Sequence, residues 1–441
     1  MYKVKKKYQP IPRLLILGSI PLAAILGGLL LFLPISCLHQ ISFLDSLFTA
    51  ASAICVNGLL TIPLTHFTEF GQWIILALMQ IGGLGVITIT LMTIAAFVRT
   101  GLSTQAVAGH ILEIEHMRDI KQLLLTIIIV TLSAEAIGAL ILFQDFIQLF
   151  PTHQAIFYAI FHSVSAFCNA GLTIFSDSLV DCKQDFTILA NMGSLILVGS
   201  IGFITWSELY HYYFGHQPKL SLHAKLTLWT TFCLIAIFTI VFFLLEANHS
   251  LTHLSWWQSS FNSLFNAISM RGAGFTTIDL DQLQPATIML FIISSFIGAA
   301  PGSTGGGIKT SALIIFFATS RAAFNNHSTV EVRKRNIPHL QVLRALSIIT
   351  LSICWISLTT FGLLITDPQH SFLSLLFEAN SAFSMFGMSL GITGSLSILG
   401  KVLILLSMIV GRIGSLTLVL AFLRLSHTQE VRYPEGRLLL S

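Results

Sequence analysis

The sequence predicts an all-α polytopic membrane protein, with four tandem repeats of span, re-entrant pore helix and span arranged with pseudo-fourfold symmetry around a central pore. Three observations lead to this prediction: the composition, the lengths of the apolar runs and a motif that occurs four times. Of the 441 residues, 54% are hydrophobic and only 10% are charged, whereas about 25% are charged in an ordinary soluble domain. Such a composition excludes a water-soluble enzyme, a nucleic-acid-binding protein and a disordered scaffold.

Eight apolar stretches are long enough to cross a hydrocarbon core about 30 Å thick. They lie at residues 14–33, 71–98, 122–143, 186–209, 226–245, 285–319, 342–365 and 396–423. The first stretch follows a basic segment but has no small-residue cleavage site after it. We therefore interpret it as a retained span and not as a signal peptide.

The positive charges predict the orientation of these spans. Of the 23 Lys and Arg residues, 18 fall in the segments 1–13, 99–121, 211–225, 321–344 and 424–441. The positive-inside rule predicts that these segments are cytoplasmic, so both termini are expected on the cytoplasmic side of a plasma (inner) membrane. Most acidic residues fall on the opposite face, where they either concentrate cations at an outer vestibule or are ordinary solvated loop charges.

The connection inside each pair of spans contains a short amphipathic run that ends in glycine. The four copies read FTAASAICVNGL, FHSVSAFCNAGL, LFNAISMRGAGF and FEANSAFSMFGM. Their glycines are Gly58, Gly171, Gly274 and Gly387, and a serine precedes each by six, six, five and six residues. Nearly constant spacing predicts repeats at 1–100, 101–215, 216–322 and 323–425, followed by a cytoplasmic tail, 426–441.

Irregular backbone at membrane depth is tolerated only where protein or water covers it. Four glycine loops around one axis would provide such a place, and their carbonyl oxygens could replace the hydration shell of an ion. Glycine suits such a loop because it adopts backbone conformations that other residues resist. For any single copy, a packed re-entrant turn remains the alternative.

The sixth apolar run is too long for one straight helix across the membrane, at about 1.5 Å per residue. Its middle contains Pro301, Gly302, Gly305, Gly306 and Gly307, which interrupt a regular helix. We expect two half-helices joined by a flexible loop at 298–311. The loop is either a movable intramembrane gate or a static kink. It lacks the GxxxxGK[ST] spacing of a nucleotide-binding loop, and Lys309 adds a positive charge beside it.

Four of the charged residues within predicted membrane segments stand out, because a charge there is costly and is often functional. Arg412 lies in the eighth span, where it would repel passing cations or bind backbone carbonyls. Glu135 lies in the third span and needs a partner that the sequence does not identify. Asp45 and Glu378 lie in re-entrant helices, which we expect them to anchor by hydrogen bonds.

These motifs resemble the Trk/Ktr/HKT potassium transporter superfamily, and the eight spans resemble its membrane subunit of the Ktr type. The resemblance covers nearly the whole chain. It depends on the segments SAFCNAGL, MRGAGF, PGSTGGGIKT, GRIGSLT and the IGGLG run at Ile81–Gly85.

The resemblance implies a selectivity filter in which main-chain carbonyls just before each repeated glycine hold potassium. Those residues are Val56, Asn57, Asn169, Ala170, Gly272, Ala273, Met385 and Phe386. It also implies that Gly302–Lys309 and Arg412 form a gate below the filter. Further implied properties are a homodimer in the lipid bilayer, a separate cytosolic nucleotide-binding RCK subunit of the KtrA/TrkA type, no organic cofactor and no nucleic acid.

The sequence departs from the family pattern at three filter positions. Asn57 and Gly272 replace threonines, and Ser384, Met385 and Phe386 replace a Gly-Thr-Val run. The leading prediction is uptake of monovalent cations, potassium favoured, driven by the membrane potential either alone or with coupling to sodium. At about 2.3 kcal/mol per charge per 100 mV, the potential supports inward accumulation. The alternative within the fold is a sodium-selective or weakly selective transporter.

Two rivals from other classes fit the sequence less well. An intramembrane enzyme would need a motif such as HExxH, GxSxG or paired aspartates, and none occurs in the spans. Isolated histidines such as His162 are better interpreted as hydrogen-bonded packing residues. An inverted-repeat transporter would alternate its topology, whereas all four glycine loops enter from the same side.

Overall fold

The computed structural model describes residues 11–98, 117–215 and 218–414. The predicted tail at 426–441, most of the basic segments 1–13 and 99–121, and the end of the predicted eighth span lie outside the described residues. Fourteen α-helices occur in the described part of the chain. They are α1 (Ile11–Phe32), α2 (Phe43–Cys55), α3 (Glu69–Val98), α4 (Met117–Phe146), α5 (Thr152–Cys168), α6 (Phe186–Ile201), α7 (Phe203–Tyr213), α8 (Leu222–Glu246), α9 (Trp256–Ser269), α10 (Pro285–Phe296), α11 (Thr310–Phe324), α12 (His339–Thr366), α13 (Phe372–Ser384) and α14 (Ile398–Ile413). A two-stranded antiparallel ribbon, β1 (Glu331–Val332) and β2 (Arg335–Asn336), is the part of the structure that an all-α prediction missed.

Helices α2, α5, α9 and α13 are the four short helices that contain the repeated motif. They have 13, 17, 14 and 13 residues, which makes them about 20–26 Å long and shorter than a membrane core. Ser42, Ser255 and Ser371 begin three of them, each accepting a hydrogen bond from a backbone N–H of the first turn. The C-terminal halves are rich in Ala and Ser and are buried.

The helices pack in a closed order. Each short helix contacts the helix before it in the chain, and α2, α5 and α13 also contact the helix that follows. The second long element of each repeat also contacts the short helix of the next: α3 packs on α5, α6 on α9 and α10 on α13. Finally, α14 packs on α2, so that the last repeat contacts the first.

By length and composition, three helices of the described chain could each cross a membrane: Leu123–Phe146 within α4, and α8 and α12. The pair α6 and α7 is a fourth candidate, broken by a bend of 93°. The bend corrects our prediction of one continuous span at 186–209. It occurs at Gly202, whose φ is 94°, and the apolar run continues through Phe203 and Ile204, so hydropathy carries no signal of it.

The sixth apolar run is broken, because α10 ends at Phe296 and α11 begins at Thr310. The intervening segment, called here the glycine-rich loop (297–309), is closed by hydrogen bonds between residues near its two ends. Gly298 N donates to Ile308 O at 3.0 Å and Ala299 N donates to Gly306 O at 3.1 Å. Polar backbone groups that enter an apolar interior need such partners.

Candidate functional site

The four short helices end in loops with one repeated backbone conformation. Each of these ring loops (56–58, 169–171, 272–274 and 385–387) has a first and a third residue with positive φ. The first residues are Val56, Asn169, Gly272 and Met385, with φ of 58°, 58°, 118° and 55°. Three of these are not glycine, and positive φ is uncommon for such residues. This strained conformation indicates that packing fixes the three loops that begin with Val56, Asn169 and Met385.

The third residues of the ring loops are the four repeated glycines, and they lie side by side. A methyl group on Gly58 would lie 2.8 Å from Ala170 O, and one on Gly171 would lie 2.7 Å from Ala273 O. A methyl group on Gly274 would collide with Phe386 O, and one on Gly387 would collide with Asn57 O. Each glycine therefore contacts the carbonyl that precedes the next glycine, and the order closes into a ring. Any side chain would push a neighbouring loop away.

The repeated serines hold the ring loops from behind. Ser165, Ser269 and Ser381 donate to the carbonyl just after each glycine, at 2.6, 2.6 and 2.7 Å. In the first copy, Ser52 Oγ instead accepts from Gly58 N at 3.0 Å. The N–H groups of Asn57, Ala170, Ala273 and Phe386 donate to the carbonyls of the same four serines, at 2.8–3.0 Å.

The carbonyl groups of the ring loops do not take part in the hydrogen bonds that hold these loops. None of the eight oxygens at the first and second positions accepts a hydrogen bond from a residue that the structure describes. The eight residues, Val56, Asn57, Asn169, Ala170, Gly272, Ala273, Met385 and Phe386, are buried. Buried carbonyls in proteins almost always have a partner, so this ring has the chemistry of a site for a cation or for ordered water.

Two asparagines in the ring loops turn their side chains away from the ring. Asn57 Nδ2 donates to Ser381 O and Ala382 O at 3.2 and 2.9 Å, which ties the first loop to the fourth short helix. Asn169 Nδ2 donates to Thr304 Oγ1 at 2.8 Å, which ties the second loop to the glycine-rich loop. The sequence identified both positions but not these side-chain contacts.

The glycine-rich loop lies against the ring loops. A methyl group on Gly306 would collide with Ser384 O and would lie 2.5 Å from Met385 Cβ, and one on Gly305 would lie 3.9 Å from Asn169 Cγ. The other two glycines predicted for the gate lie farther from the ring. Gly302 O accepts from Phe203 N at 2.8 Å, and Gly307 packs on Gly298 in the stem of the loop.

Thr304 is a functional candidate that sequence reasoning missed, although it lies within the PGSTGGGIKT segment. Its backbone N–H donates to Gly199 O at 3.2 Å. Its Oγ1 lies 3.1 Å from both Phe167 O and Gly199 O and accepts from Asn169. Thr304 is fully buried, so it connects the glycine-rich loop with α5, α6 and the second ring loop.

Two arginines inside the helical body, the buried Arg271 and the half-buried Arg412, bind backbone carbonyls. Arg412 donates from one terminal nitrogen to Thr304 O at 2.9 Å and from the other to Gly82 O in α3. Arg271, which precedes the third ring loop, donates to Gly298 O at 3.2 Å. The sequence left two alternatives for Arg412, repulsion of passing cations or binding to backbone carbonyls, and the structure has the carbonyl contacts. Arg271 makes the same kind of contact, and the sequence reasoning did not single it out.

The other charged residues of the predicted segments have partners as well. Lys309 Nζ donates to Gly305 O at 2.7 Å, a bond within the glycine-rich loop. Glu135 accepts from Gln80 Nε2 at 3.1 Å, which supplies the partner that the sequence did not identify. Asp45 pairs with Lys401 at 3.0 Å and Glu378 accepts from Thr393, so the expected anchoring bonds are confirmed.

A carboxylate clamp lies beyond the end of α12, on the side from which the short helices begin. Asp367 Oδ1 accepts from Ser397 N at 2.6 Å, and Oδ2 accepts from Ser397 Oγ at 2.9 Å. Burial raises the pKa of the Asp367 carboxyl, but hydrogen bonds from Thr366 and Ser397 outweigh it and leave the pKa below its usual value. This clamp fixes the start of α14 relative to the end of α12.

Comparison with known proteins adds independent information. Residues 33–431 match the family model TrkH, described as a cation transport protein. The chain is 33% identical to the "Potassium/sodium uptake protein NtpJ" of Enterococcus hirae, over 99% of this chain and 98% of that protein. It is 34% identical to the "Ktr system potassium uptake protein B" of Vibrio alginolyticus, over 97% of this chain and 94% of that protein.

A solved structure has the same fold. The crystal structure of the potassium transporter TrkH from Vibrio parahaemolyticus superimposes with a TM-score of 0.76, covering 96% of this chain and 87% of that one. The two sequences are 20% identical. At that identity, the likeness supports the fold alone.

Proposed function

This chain belongs to the TrkH family of cation transport proteins, and on that premise we propose that it takes up monovalent cations, potassium above all, through the ring of the four glycine loops. It is a transporter and not an enzyme. The transported ion is the substrate, and relatives with near-complete coverage are named for potassium uptake or for potassium and sodium uptake.

The observation that carries the proposal is the set of eight buried carbonyl oxygens in the ring loops. No described residue donates to them, and four of them lie against the four adjacent glycines. Carbonyl oxygens of this kind can replace the hydration shell of a potassium ion. In this proposal, the filter consists of 56–58, 169–171, 272–274 and 385–387.

The proposed architecture has eight spans and four repeats related by a pseudo-fourfold axis through the ring. The cyclic packing of α3 on α5, α6 on α9, α10 on α13 and α14 on α2 supports it, as does the shared conformation of the ring loops. The repeats would be 1–100, 101–215, 216–322 and 323–425. Both termini and the tail 426–441 would be cytoplasmic, in a plasma (inner) membrane.

The glycine-rich loop is the proposed gate. Gly306 contacts the fourth ring loop, while Arg412 and Asn169 hold Thr304 from two sides. For ions to leave the ring toward the cytoplasm, this loop would move and those bonds would break. Gly302, Gly305 and Gly307 would act by letting the backbone bend, and Lys309 by its bond within the loop.

Transport would be driven by the membrane potential, which acts on each charge that crosses. Two further parts of the proposal are a homodimer and a separate cytosolic nucleotide-binding RCK subunit, in keeping with relatives that are named as parts of a Ktr system.

A sodium-selective or weakly selective transporter is the second candidate, because the Enterococcus hirae relative is named for both ions and this filter has Met385 and Phe386. If those side chains relax selectivity, the double variant Met385→Thr with Phe386→Val should prefer potassium more strongly. The ratio of rubidium to sodium uptake measures this. An unchanged ratio would remove the argument from these two residues.

The direct test is growth of a potassium-uptake-deficient bacterium at micromolar to millimolar potassium, with and without a co-expressed RCK subunit. Rescue by the wild type that is lost in Gly274→Ser supports a potassium pathway through the ring, because a side chain at Gly274 meets Phe386 O. Gly391→Ser is the matched control, since φ there is also positive but no atom lies within 4 Å. Sodium uptake without rescue would favour the second candidate, and neither uptake would contradict both.

A further inference from the structure

A second set of polar side chains lies on the short helices, three residues before the serines that hold the ring loops. The four residues at this register are Thr49, His162, Asn266 and Glu378. All except Thr49 contact a threonine in the segment that follows the glycine of the same repeat. These contacts lie beyond the ring, on the side away from the glycine-rich loop.

The three contacts are hydrogen bonds. His162 Nε2 lies 2.9 Å from Thr173 Oγ1, and Asn266 Nδ2 donates to Thr277 Oγ1 at 2.8 Å. Glu378 accepts from Thr393. His162, Asn266 and Glu378 are all fully buried. Of their partners, Thr277 and Thr393 are buried and Thr173 is half-buried.

Proton counting assigns a direction to two of the bonds. His162 Nδ1 lies 2.8 Å from Tyr158 O, so Nδ1 carries the proton, and Nε2 of the neutral ring accepts from Thr173. Thr393 Oγ1 lies 2.8 Å from Ser389 Oγ. The single proton of Thr393 goes to Glu378, so Ser389 donates to Thr393. Three different side chains therefore make the same connection by different chemistry.

At this register, the described part of the first repeat has no bond from Thr49 to the segment that follows the glycine. Thr49 Oγ1 donates to Asp45 O in its own helix at 2.9 Å. The first ring loop is held instead through Asn57, which donates to the backbone of α13. This difference provides an internal control, because the same register has a tether in the second, third and fourth repeats and none at Thr49 in the first.

We propose that His162, Asn266 and Glu378 are positioning residues that set the spacing of the ring carbonyls and thereby the preference for potassium over sodium. The inference depends on the proposed filter. Each residue holds the segment that follows a ring loop, and the short helix fixes the start of the same loop. Selectivity among alkali cations depends on cavity size and on the field of the carbonyls, so loosening the segment after the loop changes selectivity before it abolishes transport.

The experiment uses Thr393→Val, which removes the hydroxyl and conserves the shape of the side chain. Potassium and sodium uptake are measured in proteoliposomes with matched amounts of inserted protein. We expect the potassium-to-sodium ratio to fall roughly fivefold, the factor that one net hydrogen bond represents, while potassium is still transported. Thr393→Ser should restore the ratio, and Thr49→Val, at the untethered register, should leave it unchanged.

A second pair keeps the test decisive if Thr393→Val does not assemble: Thr277→Val should lower the ratio and Thr277→Ser should restore it. An unchanged ratio in the valine variants, or an equal fall in Thr49→Val, would overturn the inference. If the wild type transports potassium and Gly274→Ser blocks it, such a result overturns the positioning role alone. If the wild type transports no potassium, the proposed function fails and the inference fails with it.

Discussion

The ring loops and the glycine-rich loop are both irregular backbone inside the helical body, but they are held in opposite ways. The ring is built four times from one motif and is fixed by backbone bonds to four serines and by contacts between glycines. The glycine-rich loop occurs once, and side chains from elsewhere in the chain, Arg412 and Asn169, hold it at Thr304.

This difference indicates that the ring loops resist displacement more than the glycine-rich loop does. In the ring, each loop is supported by two neighbours of the same kind and by a backbone bond to its own short helix. In the glycine-rich loop, one fully buried residue, Thr304, concentrates the contacts to α5, α6 and α14. A scaffold that must keep ion ligands at fixed spacing suits the first design, and an element that must move suits the second.

The largest expected effect comes from a methyl group inside the ring. Gly387→Ala should abolish potassium uptake, because the added Cβ collides with Asn57 O and lies 2.8 Å from Gly58 Cα. Rubidium uptake per inserted protein measures it. Gly391→Ala shares a positive φ of similar size, 76° against 81°, but has open space around it. Equal losses in both variants would mean that backbone strain, and not contact within the ring, is responsible.

A smaller effect, a rise in uptake instead of a loss, is expected from a substitution in the glycine-rich loop. Thr304→Val removes the hydroxyl that links Asn169, Phe167 and Gly199. Losing two bonds of about 1 kcal/mol each favours the displaced loop on the order of thirtyfold. Uptake without a regulatory subunit should therefore rise.

The control for that experiment is Thr319→Val in α11, whose hydroxyl donates only within its own helix, to Ile315 O at 2.7 Å. It should leave the rate unchanged. A lower rate in Thr304→Val with unchanged insertion would mean that the loop supports the open pathway and does not close it.

The smallest effect on transport is expected from a substitution in the carboxylate clamp, which lies outside the ring and the glycine-rich loop. Asp367→Asn keeps one acceptor for Ser397 N but cannot accept from Ser397 Oγ, so it should lower the free energy of unfolding by about 2 kcal/mol at pH 7. The folded-state pKa of Asp367 lies below the unfolded value. The difference in the free energy of unfolding between the wild type and Asp367→Asn is therefore complete above about pH 4 and is lost as the pH falls through the lowered pKa.

Thermal unfolding of purified protein at several pH values checks this prediction, with the exposed Asp281→Asn as a control that should change little. The ratio of potassium to sodium uptake should stay constant, because the clamp lies outside both the ring and the glycine-rich loop. A difference between wild type and Asp367→Asn that persists unchanged at low pH would contradict the assignment of the carboxylate form.

The sequence predicted the elements whose signals are repeated or local. The spacing of Gly58, Gly171, Gly274 and Gly387 located the four short helices and their loops, and Pro301 with Gly302 marked the broken sixth run. The 93° bend at Gly202 was missed, because one glycine within a continuous apolar run does not reveal that Pro301 O occupies the space beside it. The partners of Arg412 and Asn57 are backbone carbonyls, which are present at every residue and leave no mark in the sequence.

The most direct test of the central claim is to locate the ion. The measurement is anomalous diffraction from crystals of the wild-type protein grown with rubidium in place of potassium. We predict a peak enclosed by the carbonyl oxygens of Asn57, Ala170, Ala273 and Phe386, which lie against the ring glycines. Rubidium bound elsewhere in the protein, with none inside this ring, would contradict the account.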